Sequence, residues 1–423
     1  MSTSKLKIVF IVPGSGDSFY CGNCFRDSLH ANALKRAGHD VVVMPLYLPL
    51  RDQSFPADSP LFFPATSVYL AQKFFRKKAM PRWMERMLNS EFSLNMASTF
   101  SGTTSSEGME DMTLSMIQGD DAVFQQQVHT LVSWLKEQEQ PDIIHLSSSL
   151  IIGIAQSLRQ AMPRIPIVCS LQDEEVWIDT LNEADAQIAW QGIVDKSRYI
   201  DRFITSSQFY KDYVAKRLPQ IKDVEVVYPG VETAKYASDR YPEAPTLGFF
   251  YRMNELNGLG ILAEAFIKLK DADNVKNLRL RIGGGYTSEN KQFIKQIRHL
   301  LSPYEKDVDW LETYSLQEHA AFYKSISAIC VPITFDEGVG LYLCEAFAAG
   351  RPAIEPATGS FPEIIGDAGV LYSPNSAEAL ASAIKRLFIT EWEPCCREAL
   401  AQSAARYNEQ VQAAALHQIY TAI

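Results

Sequence analysis

The sequence predicts an α/β protein with two parallel sheets, one in each half of the chain. Short apolar runs typical of buried strands alternate with helical patterns from the N-terminus onward. This alternation is interrupted at about residues 51–125 and then resumes. A proline-rich segment, 241–245, separates the two blocks and suggests a linker between two domains.

The first block opens with a predicted strand over Leu6–Val12, a loop, a helix over Cys24–Ala37 and a strand over Asp40–Tyr47. Residues 51–125 contain several prolines and a Ser/Thr/Gly-rich tract, and we interpret them as an insertion. The later predicted elements of this block are a helix over Val128–Glu137, a strand over Asp142–Leu146, a helix over Leu150–Ala161, and strands over Ile167–Leu171, Arg202–Thr205 and Val224–Tyr228.

The second block repeats the same alternation. Its predicted strands are Leu247–Tyr251, Leu278–Ile282, Val308–Leu311 and Ala328–Pro332, and its predicted helices are Leu259–Lys270, Asn290–Leu301, Leu316–Ser325 and Leu341–Ala349. The tail from Cys396 to Tyr420 is predicted to be one long helix. The predicted units are therefore 1–240, 241–395 and 396–423. Two such sheets would face a cleft between their carboxyl ends, where doubly wound sheets bind ligands.

Composition narrows the function classes. The chain has 423 residues, 47% of them hydrophobic and 21% charged, which is typical of a globular protein and excludes a disordered or collagen-like chain. No apolar run approaches the ~18 residues of a membrane-spanning helix. The formal net charge of −10 argues against nucleic acid as the main partner. Seven cysteines, with a first strand where an export signal would stand, predict a reducing cytoplasm.

The strongest local motif is segment 335–346, FDEGVGLYLCEA, which follows a strand and opens a helix. Gly338 and Gly340 let the backbone approach a ligand closely. The amides from Val339 to Leu341 would lie at a helix N-terminus, which stabilises an anion. Glu337 and Glu345 could flank one bound molecule and accept hydrogen bonds from sugar hydroxyls. The alternative is a glycine-rich turn with a solvated glutamate on each side.

Glu337 and Glu345, with seven residues between them that include Gly-x-Gly-Leu, resemble the signature of retaining glycosyltransferases of family 4. The resemblance covers most of the chain except about 51–125. Its other segments are 346–353, 359–365, Arg252 with Gly258 and 263–266, Cys21–Gly22 through 38–41, and 227–232.

The resemblance implies the GT-B fold: two Rossmann-like domains facing a cleft, with a C-terminal helix that crosses back to the first domain. It further implies a retaining transferase that moves a hexose from a nucleoside-diphosphate sugar, held by the second domain, to a sugar or lipid-linked acceptor. Glycan or polysaccharide biosynthesis is the expected setting. A catalytically impaired nucleotide-sugar-binding protein is the alternative.

The resemblance also assigns residue roles. The predicted catalytic residues are Glu337, Arg252 and Asp173, although the family's histidine role cannot be carried over to Asp173. The implied donor-binding residues are Gly22, Asn257, Gly338, Val339, Gly340, Leu341 and Glu345. The predicted acceptor-side residues are His145, which follows a strand near the cleft, and Gln172. Arg252 would form a fork on the diphosphate, and Glu345 would contact the ribose. We expect no metal cofactor, because cations can stabilise the leaving group.

The chain departs from the family at three places. Asn257 stands where a lysine is usual, Gln172-Asp173 stands where a histidine is common, and Cys21-Gly22 keeps only the second of two paired glycines. Losing the lysine removes a charge-assisted contact worth roughly 1.5–3 kcal/mol. The departures at Asn257 and Gln172 are the reason for keeping the alternative function.

Several smaller features remain open. His145 is either a structural histidine or an acceptor contact. The glycines at 283–285 form either a tight turn or a phosphate cradle. Cys21 and Cys24 have redox spacing but suit structural thiols beside the cleft.

The stretch Lys73–Met87 carries six basic residues, one acidic residue and interleaved aromatics. It suits either an anionic membrane surface or a solvated helical face. We expect a cytoplasmic protein, and the first interpretation adds peripheral contact with the inner face of the membrane.

Overall fold

The structure, a computed structural model, describes residues 5–13, 22–46, 110–120, 122–311 and 318–423. Of residues 23, 24, 122 and 123 it describes the backbone alone. The loop 14–21 with Cys21, most of the predicted insertion, and the basic stretch Lys73–Met87 lie outside the described residues.

The predicted α/β fold is confirmed, with two parallel six-stranded sheets. The first sheet has the strand order β2-β1-β3-β4-β5-β6. Its strands are β1 (Lys7–Val12), β2 (Asp40–Pro45), β3 (Ile143–Leu146), β4 (Ile167–Leu171), β5 (Arg202–Thr205) and β6 (Val224–Val226). Strand β1 is buried on both faces, with Val9 and Ile11 in one apolar cluster and Ile8 and Phe10 in another. Burial on both faces explains why these strands appear as continuous apolar runs.

The second sheet has the order β12-β11-β10-β7-β8-β9. Its strands are β7 (Thr246–Phe250), β8 (Arg279–Gly283), β9 (Val308–Trp310), β10 (Ala328–Ile329), β11 (Ala353–Pro356) and β12 (Gly369–Tyr372). This is the doubly wound order, in which the direction of winding reverses between β7 and β10. Ligands of such sheets bind outside the carboxyl ends of the strands at that reversal.

Helices flank both sheets. The α-helices are α1 (Gly22–Arg36), α2 (Glu110–Gln118), α3 (Ala122–Trp134), α4 (Ala155–Ala161), α5 (Glu174–Ile178), α6 (Glu183–Ser197), α7 (Gln208–Arg217), α8 (Thr233–Tyr236), α9 (Leu259–Asp271), α10 (Lys291–Leu301), α11 (His319–Lys324), α12 (Leu341–Ala348), α13 (Phe361–Ile365), α14 (Ala377–Arg386), α15 (Trp392–Ala405) and α16 (Glu409–Thr421). Shorter 3-10 or π-helical turns lie at Leu135–Glu139, Ser149–Ile154, Ser288–Asn290, Ser302–Asp307 and Leu387–Glu391. In the part of the chain that the structure describes, no helix combines the length and apolar character needed to span a bilayer.

The prediction of one long C-terminal helix is wrong, because the tail forms α15 and α16 with a break between them. At the break, the Val231 amide donates to the Tyr407 carbonyl at 3.1 Å, and the Glu409 amide donates to the Val231 carbonyl at 3.2 Å. The Asn408 side chain then caps α16 by accepting from the Val411 amide at 2.9 Å. Pairing with a distant segment therefore stops the first helix and a new cap starts the second.

The two tail helices serve different domains. Helix α15 packs against α12 of the second domain, whereas α16 packs against α1 of the first. Leu416 and Tyr420 of α16 complete one apolar cluster of the first sheet. The segment that returns to the first domain therefore begins at Glu409 rather than at Cys396.

A carboxylate of the second domain holds the N-terminus of a helix in the first. Glu363, in α13, accepts hydrogen bonds from the amides of Gln208 and Phe209, each at 2.8 Å, and from the Tyr228 hydroxyl at 2.5 Å. An anion at a helix N-terminus is stabilised by the helix dipole and by otherwise unpaired amides. This contact keeps the carboxyl ends of the two sheets facing each other.

We expect Glu363→Gln to loosen the two domains, because a neutral amide offers one acceptor oxygen where the carboxylate offers two. Lost charge-assisted bonds of this kind cost about 1.5–3 kcal/mol. Small-angle scattering should show a larger radius of gyration than wild type. Glu378→Gln is a matched control, since Glu378 pairs with Lys268 within the second domain. Identical scattering from all three proteins would contradict the role of this contact.

Candidate active site

The loops after β7 and β10 meet at the winding reversal of the second sheet. Gly258, at the end of the first loop, has a φ of +75°, and a Cβ there would lie 1.9 Å from the Pro332 carbonyl oxygen. The Thr334 amide donates to the Leu256 carbonyl at 2.9 Å. These backbone contacts bring Arg252 on one loop and Glu337 on the other to the same edge of the sheet.

Glu337 is buried, and its carboxylate holds the turn that opens α12. Its Oε1 accepts from the Gly340 amide at 3.0 Å, and its Oε2 lies 3.4 Å from the Tyr251 hydroxyl. Burial raises the pKa of Glu337, and the amides of Gly340 and Val339 partly offset that rise. The prediction of free amides from Val339 to Leu341 therefore needs correction, because the Gly340 amide already binds the Glu337 carboxylate.

Asp173 of the first domain reaches the same turn from across the cleft. A Cβ on Gly338 would lie 2.1 Å from Asp173 Oδ1, so only glycine fits there without displacing the carboxylate. The Ser207 hydroxyl donates to the Gly338 carbonyl at 2.5 Å. Asp173 has a left-handed backbone, with φ of 53°. Burial, and then the neighbouring charge of Glu337, raises the pKa of Asp173 well above its usual value.

Arg252 is buried at the start of the loop after β7, and its Nη2 donates to Thr287 Oγ1 at 3.2 Å. Asn257 does not present a side chain to the cleft as a lysine would. Its side-chain Nδ2 donates to the Arg252 carbonyl at 2.7 Å, and its backbone amide donates to Asn254 Oδ1 at 2.8 Å. Asn257 therefore shapes the loop that carries Arg252 and contributes no charge.

The triple glycine supports the same loop. Gly284 has a φ of +110°, and a Cβ there would lie 2.2 Å from the Tyr251 carbonyl oxygen. The Met253 amide donates to the Gly285 carbonyl at 2.8 Å. The glycines at 283–285 thus form a tight turn against Tyr251 and Met253, the first of the two interpretations left open by the sequence.

Glu345 lies deeper than predicted. Its side chain is 0% exposed, and its carboxylate accepts from the hydroxyls of Tyr236 at 2.6 Å and Tyr323 at 2.8 Å. His319 Nδ1 lies 3.2 Å from the same carboxylate. Because the Glu345 carboxylate is enclosed by these partners, the structure supports a packing role between α8, α11 and α12, and a ribose could reach it only if its surroundings moved.

The two acceptor-side residues have different surroundings. His145 is fully buried, and its Nδ1 lies 2.6 Å from the Tyr420 hydroxyl while its Nε2 lies 2.9 Å from Ser170 Oγ. Both ring nitrogens are used in tying the sheet to α16, which favours the structural interpretation of His145 over the acceptor contact. Gln172 bonds the Ser147 carbonyl through Nε2, while its buried Oε1 has no hydrogen-bond partner among the described residues.

Sequence reasoning missed Arg26 and Asp27, which are buried on α1 beside this cleft. Arg26 Nη1 donates to Ser206 Oγ, after β5, at 3.0 Å. Burial raises the pKa of Asp27 to about 7, although Arg26 and Ser147 oppose the shift. One sequence signal was available: Arg26 lies four positions before His30, so the two side chains share one face of the helix.

Three further residues missed from the sequence build the wall behind Asp173. Glu174 accepts from the amides of Ser149 at 3.1 Å and Gln172 at 2.6 Å. The Tyr210 hydroxyl lies 2.6 Å from Glu175 Oε2, and burial raises the pKa of Glu175 to about 7. The cleft therefore concentrates carboxyl groups that are easier to protonate than usual. Across the described ranges, no group of His, Cys, Asp and Glu side chains is arranged to hold a metal ion.

We expect Glu345→Gln to lower the free energy of unfolding by about 1–3 kcal/mol, because it weakens bonds to a buried carboxylate. Chemical denaturation measures this loss. Glu264→Gln, at an exposed position of α9, should change stability little. Wild-type stability in Glu345→Gln, together with weaker nucleotide binding, would contradict the packing role and favour the ribose contact.

Protonation of His30 should make stability depend on pH. Burial, and then the charge of Arg26, lowers the pKa of His30 well below its usual value, so it stays neutral in the folded protein. The unfolded chain binds a proton near pH 6.5, so the contribution of His30 is lost as pH falls through that range. His30→Leu should therefore lose less stability than wild type between pH 7.5 and pH 5 in denaturation experiments. Parallel curves for the two proteins would contradict this account.

Comparison with known families covers both halves of the chain. The family described as Glycosyltransferase Family 4 matches residues 122–235, and the family described as Glycosyl transferases group 1 matches residues 244–389. A D-inositol 3-phosphate glycosyltransferase of Corynebacterium aurimucosum is 26% identical over 58% of this chain. Another of that name, from Corynebacterium glutamicum, is 31% identical over 39%. The matches span 63% and 41% of these two relatives.

Solved structures resemble the whole chain. The Anabaena protein HepE in complex with UDP and glucose has a TM-score of 0.67 at 14% identity, covering 99% of this chain and 100% of that one. Sucrose-phosphate synthase from Thermosynechococcus elongatus has a TM-score of 0.67 at 16% identity, covering 99% of each chain. At these identities the likeness shows the shared GT-B fold. The two family matches, one in each half of the chain, confirm the predicted resemblance to family 4 of the glycosyltransferases.

Proposed function

We propose that this glycosyltransferase is a retaining enzyme that moves a hexose from a nucleoside-diphosphate sugar to a sugar or lipid-linked acceptor in glycan or polysaccharide biosynthesis. The observation that carries the proposal is the meeting of the Arg252 and Glu337 loops at the winding reversal of the second sheet. The acidic groups of the first domain face this point, which provides a second surface for an acceptor.

Arg252 stabilises the leaving group in this proposal. As the bond between the sugar C1 and the diphosphate oxygen breaks, its electron pair stays on the diphosphate and negative charge develops there. A preorganised guanidinium opposes that charge without reorganisation during the reaction. Thr287 holds Nη2 at 3.2 Å, and the Asn257 amide holds the backbone carbonyl of the same arginine at 2.7 Å.

Glu337 accepts hydrogen bonds from the hydroxyls of the transferred hexose. Its position is set by Gly340, and a sugar hydroxyl can take the place of Tyr251, whose bond of 3.4 Å is the longer of the two. Retention requires the acceptor oxygen to bond C1 on the face that the diphosphate leaves. A diphosphate oxygen on that face can take the proton of the acceptor hydroxyl.

Asp173 and Gln172 orient the acceptor. Burial raises the pKa of Asp173, so its carboxyl group holds a proton more readily than usual and can donate a hydrogen bond to an acceptor oxygen. Gln172 adds an acceptor oxygen, since its buried Oε1 has no partner within the described part of the chain. Curated relatives carry the name D-inositol 3-phosphate glycosyltransferase, so a phosphorylated inositol belongs in the acceptor panel beside simple sugars.

We expect wild type to consume at least one of the UDP-, GDP- or ADP-hexoses when an acceptor is supplied, with retained anomeric configuration by NMR. Arg252→Ala should lower kcat by about 100-fold or more, because a stabilising group for the leaving charge is lost. Arg279→Ala is a matched control, since Arg279 pairs with Asp309 on a neighbouring strand.

Donor binding without transfer to any acceptor would favour the alternative, a catalytically impaired nucleotide-sugar-binding protein. An inverted product would contradict the retaining assignment. Because protein cations supply the charge in this proposal, chelation with EDTA should leave the rate unchanged. A rate that falls with EDTA and returns with added divalent ions would overturn that part.

The acceptor side also carries a proposal about location, supported by the sequence of Lys73–Met87 alone. Each of the six basic residues of this stretch contributes roughly 1 kcal/mol to its attraction to an anionic leaflet. The protein should sediment with anionic but not neutral vesicles, and replacing Arg76, Lys77 and Lys78 with serine should abolish this. Absence of sedimentation at low salt would contradict the membrane proposal and favour a water-soluble acceptor.

A further inference from the structure

Arg26 is a buried cation at the carboxyl edge of the first sheet, and two of its three guanidinium nitrogens have no hydrogen-bond partner in the part of the chain that the structure describes. It is 2% exposed, and Nη1 donates to Ser206 Oγ at 3.0 Å. Nε and Nη2 have no hydrogen-bond partner among the described residues. Burying a guanidinium away from water without hydrogen-bond partners is unfavourable, so other interactions of the folded protein must stabilise it.

The nearest carboxylate does not neutralise Arg26. Asp27 Oδ1 lies 3.6 Å from Nη2, beyond hydrogen-bond length. Burial also raises the pKa of Asp27 to about 7, so this group is partly protonated near neutral pH. Positive charge therefore remains at Arg26 for another anion.

Arg26 acts across the cleft on the second domain. Its charge is among the influences that lower the pKa of Asp173 and of Glu337 against the larger effect of burial. Both carboxyl groups adjoin the Gly338 turn, which the first domain touches through Ser207. The guanidinium thus lies within electrostatic reach of the turn assigned to the donor sugar.

The donor side has a need for a second cation. A leaving nucleoside diphosphate is multiply negative, and Arg252 is the one cation assigned to it above. Asn257 adds no charge, and its side-chain amide donates to the Arg252 carbonyl at 2.7 Å. The Gly340 amide, at the N-terminus of α12, is occupied by Glu337 at 3.0 Å.

We propose that Arg26 is a second diphosphate-binding residue, which donates from Nε and Nη2 to oxygens of the distal phosphate opposite Arg252. This inference rests on the proposed function. The distal phosphate carries the bond that breaks, and that bond must lie between the donor in the second domain and the acceptor in the first. A cation of the first domain therefore reaches this phosphate rather than the nucleoside. Both contacts form only when the domains are closed, so donor activation depends on closure.

The test compares nucleoside diphosphates with their monophosphates by calorimetry, using UDP, GDP and ADP against UMP, GMP and AMP. Arg26→Gln should weaken the diphosphate that binds best by about tenfold or more and leave its monophosphate nearly unchanged, because only the distal phosphate loses a charge-assisted contact. Arg26→Lys should retain part of the affinity, since it keeps the charge but loses the planar fork. Arg36→Gln, on the same helix but paired with Glu232 and Glu409, is the matched control.

A compensating variant guards against trivial loss of folding. In a folded Arg26→Gln background, Asn257→Lys should restore part of the lost diphosphate affinity, because it returns one positive charge to the site. If Arg26→Gln does not fold, Arg26→Lys alone carries the comparison of diphosphate with monophosphate.

Unchanged diphosphate affinity, or equal losses for monophosphate and diphosphate, would overturn the role of Arg26. Loss of binding to a phosphorylated acceptor, with nucleotide binding intact, would overturn it in favour of an acceptor site. Failure of wild type to bind any of the nucleotides would instead contradict the proposed function, and this is seen before any variant is made.

Discussion

The burial of several carboxyl groups between two domains is the constraint on which the site depends. Asp173 from one domain and Glu337 from the other adjoin the same glycine turn, and burial raises the pKa of each. Like charges removed from water repel, so the arrangement requires amide donors, cations or protonation. The amides of Gly340 and Val339 and the guanidinium of Arg26 offset part of this cost. Bringing the two domains together therefore buries the carboxyl groups and, at the same place, supplies the amides and the cation that partly stabilise their charges.

Closure of the cleft follows from contacts that are not themselves catalytic. Glu363 fixes the start of α7, and Ser207, directly before that helix, bonds the Gly338 carbonyl. Val231 pairs with the break between α15 and α16, which lets α16 return to the first sheet. Each contact joins residues far apart in sequence. The same contacts place Asp173 against the Gly338 turn, so the chemistry of the site depends on the relative position of the two domains.

Much of the fold could be predicted from the sequence, because strands buried on both faces appear as uninterrupted apolar runs. Strands such as Ile167–Leu171 and Arg202–Thr205 match the prediction residue for residue. The tail could not be predicted in the same way. Its helical pattern continues across the break, which is imposed by the pairing of Val231 with Asn408 and by the cap that the Asn408 side chain forms. Local propensity does not contain that tertiary interaction.

The site was predictable where backbone chemistry demands particular residues, as at Gly338 and Gly340 beside Glu337. It was not predictable where side chains converge from distant segments. Glu345 follows the motif in sequence, yet Tyr236 and Tyr323 enclose it. His145 follows a strand end as an acceptor contact would, yet Tyr420 and Ser170 use both its nitrogens.

Hydrogen–deuterium exchange with and without UDP, GDP and ADP tests the central claim most directly, namely that the facing carboxyl ends of the two sheets form one nucleotide site. The account predicts that the diphosphate that binds protects the loops 251–258 and 336–341 of the second domain and the start of α1 in the first. Protection confined to one domain, or located at a surface away from these loops, would contradict it.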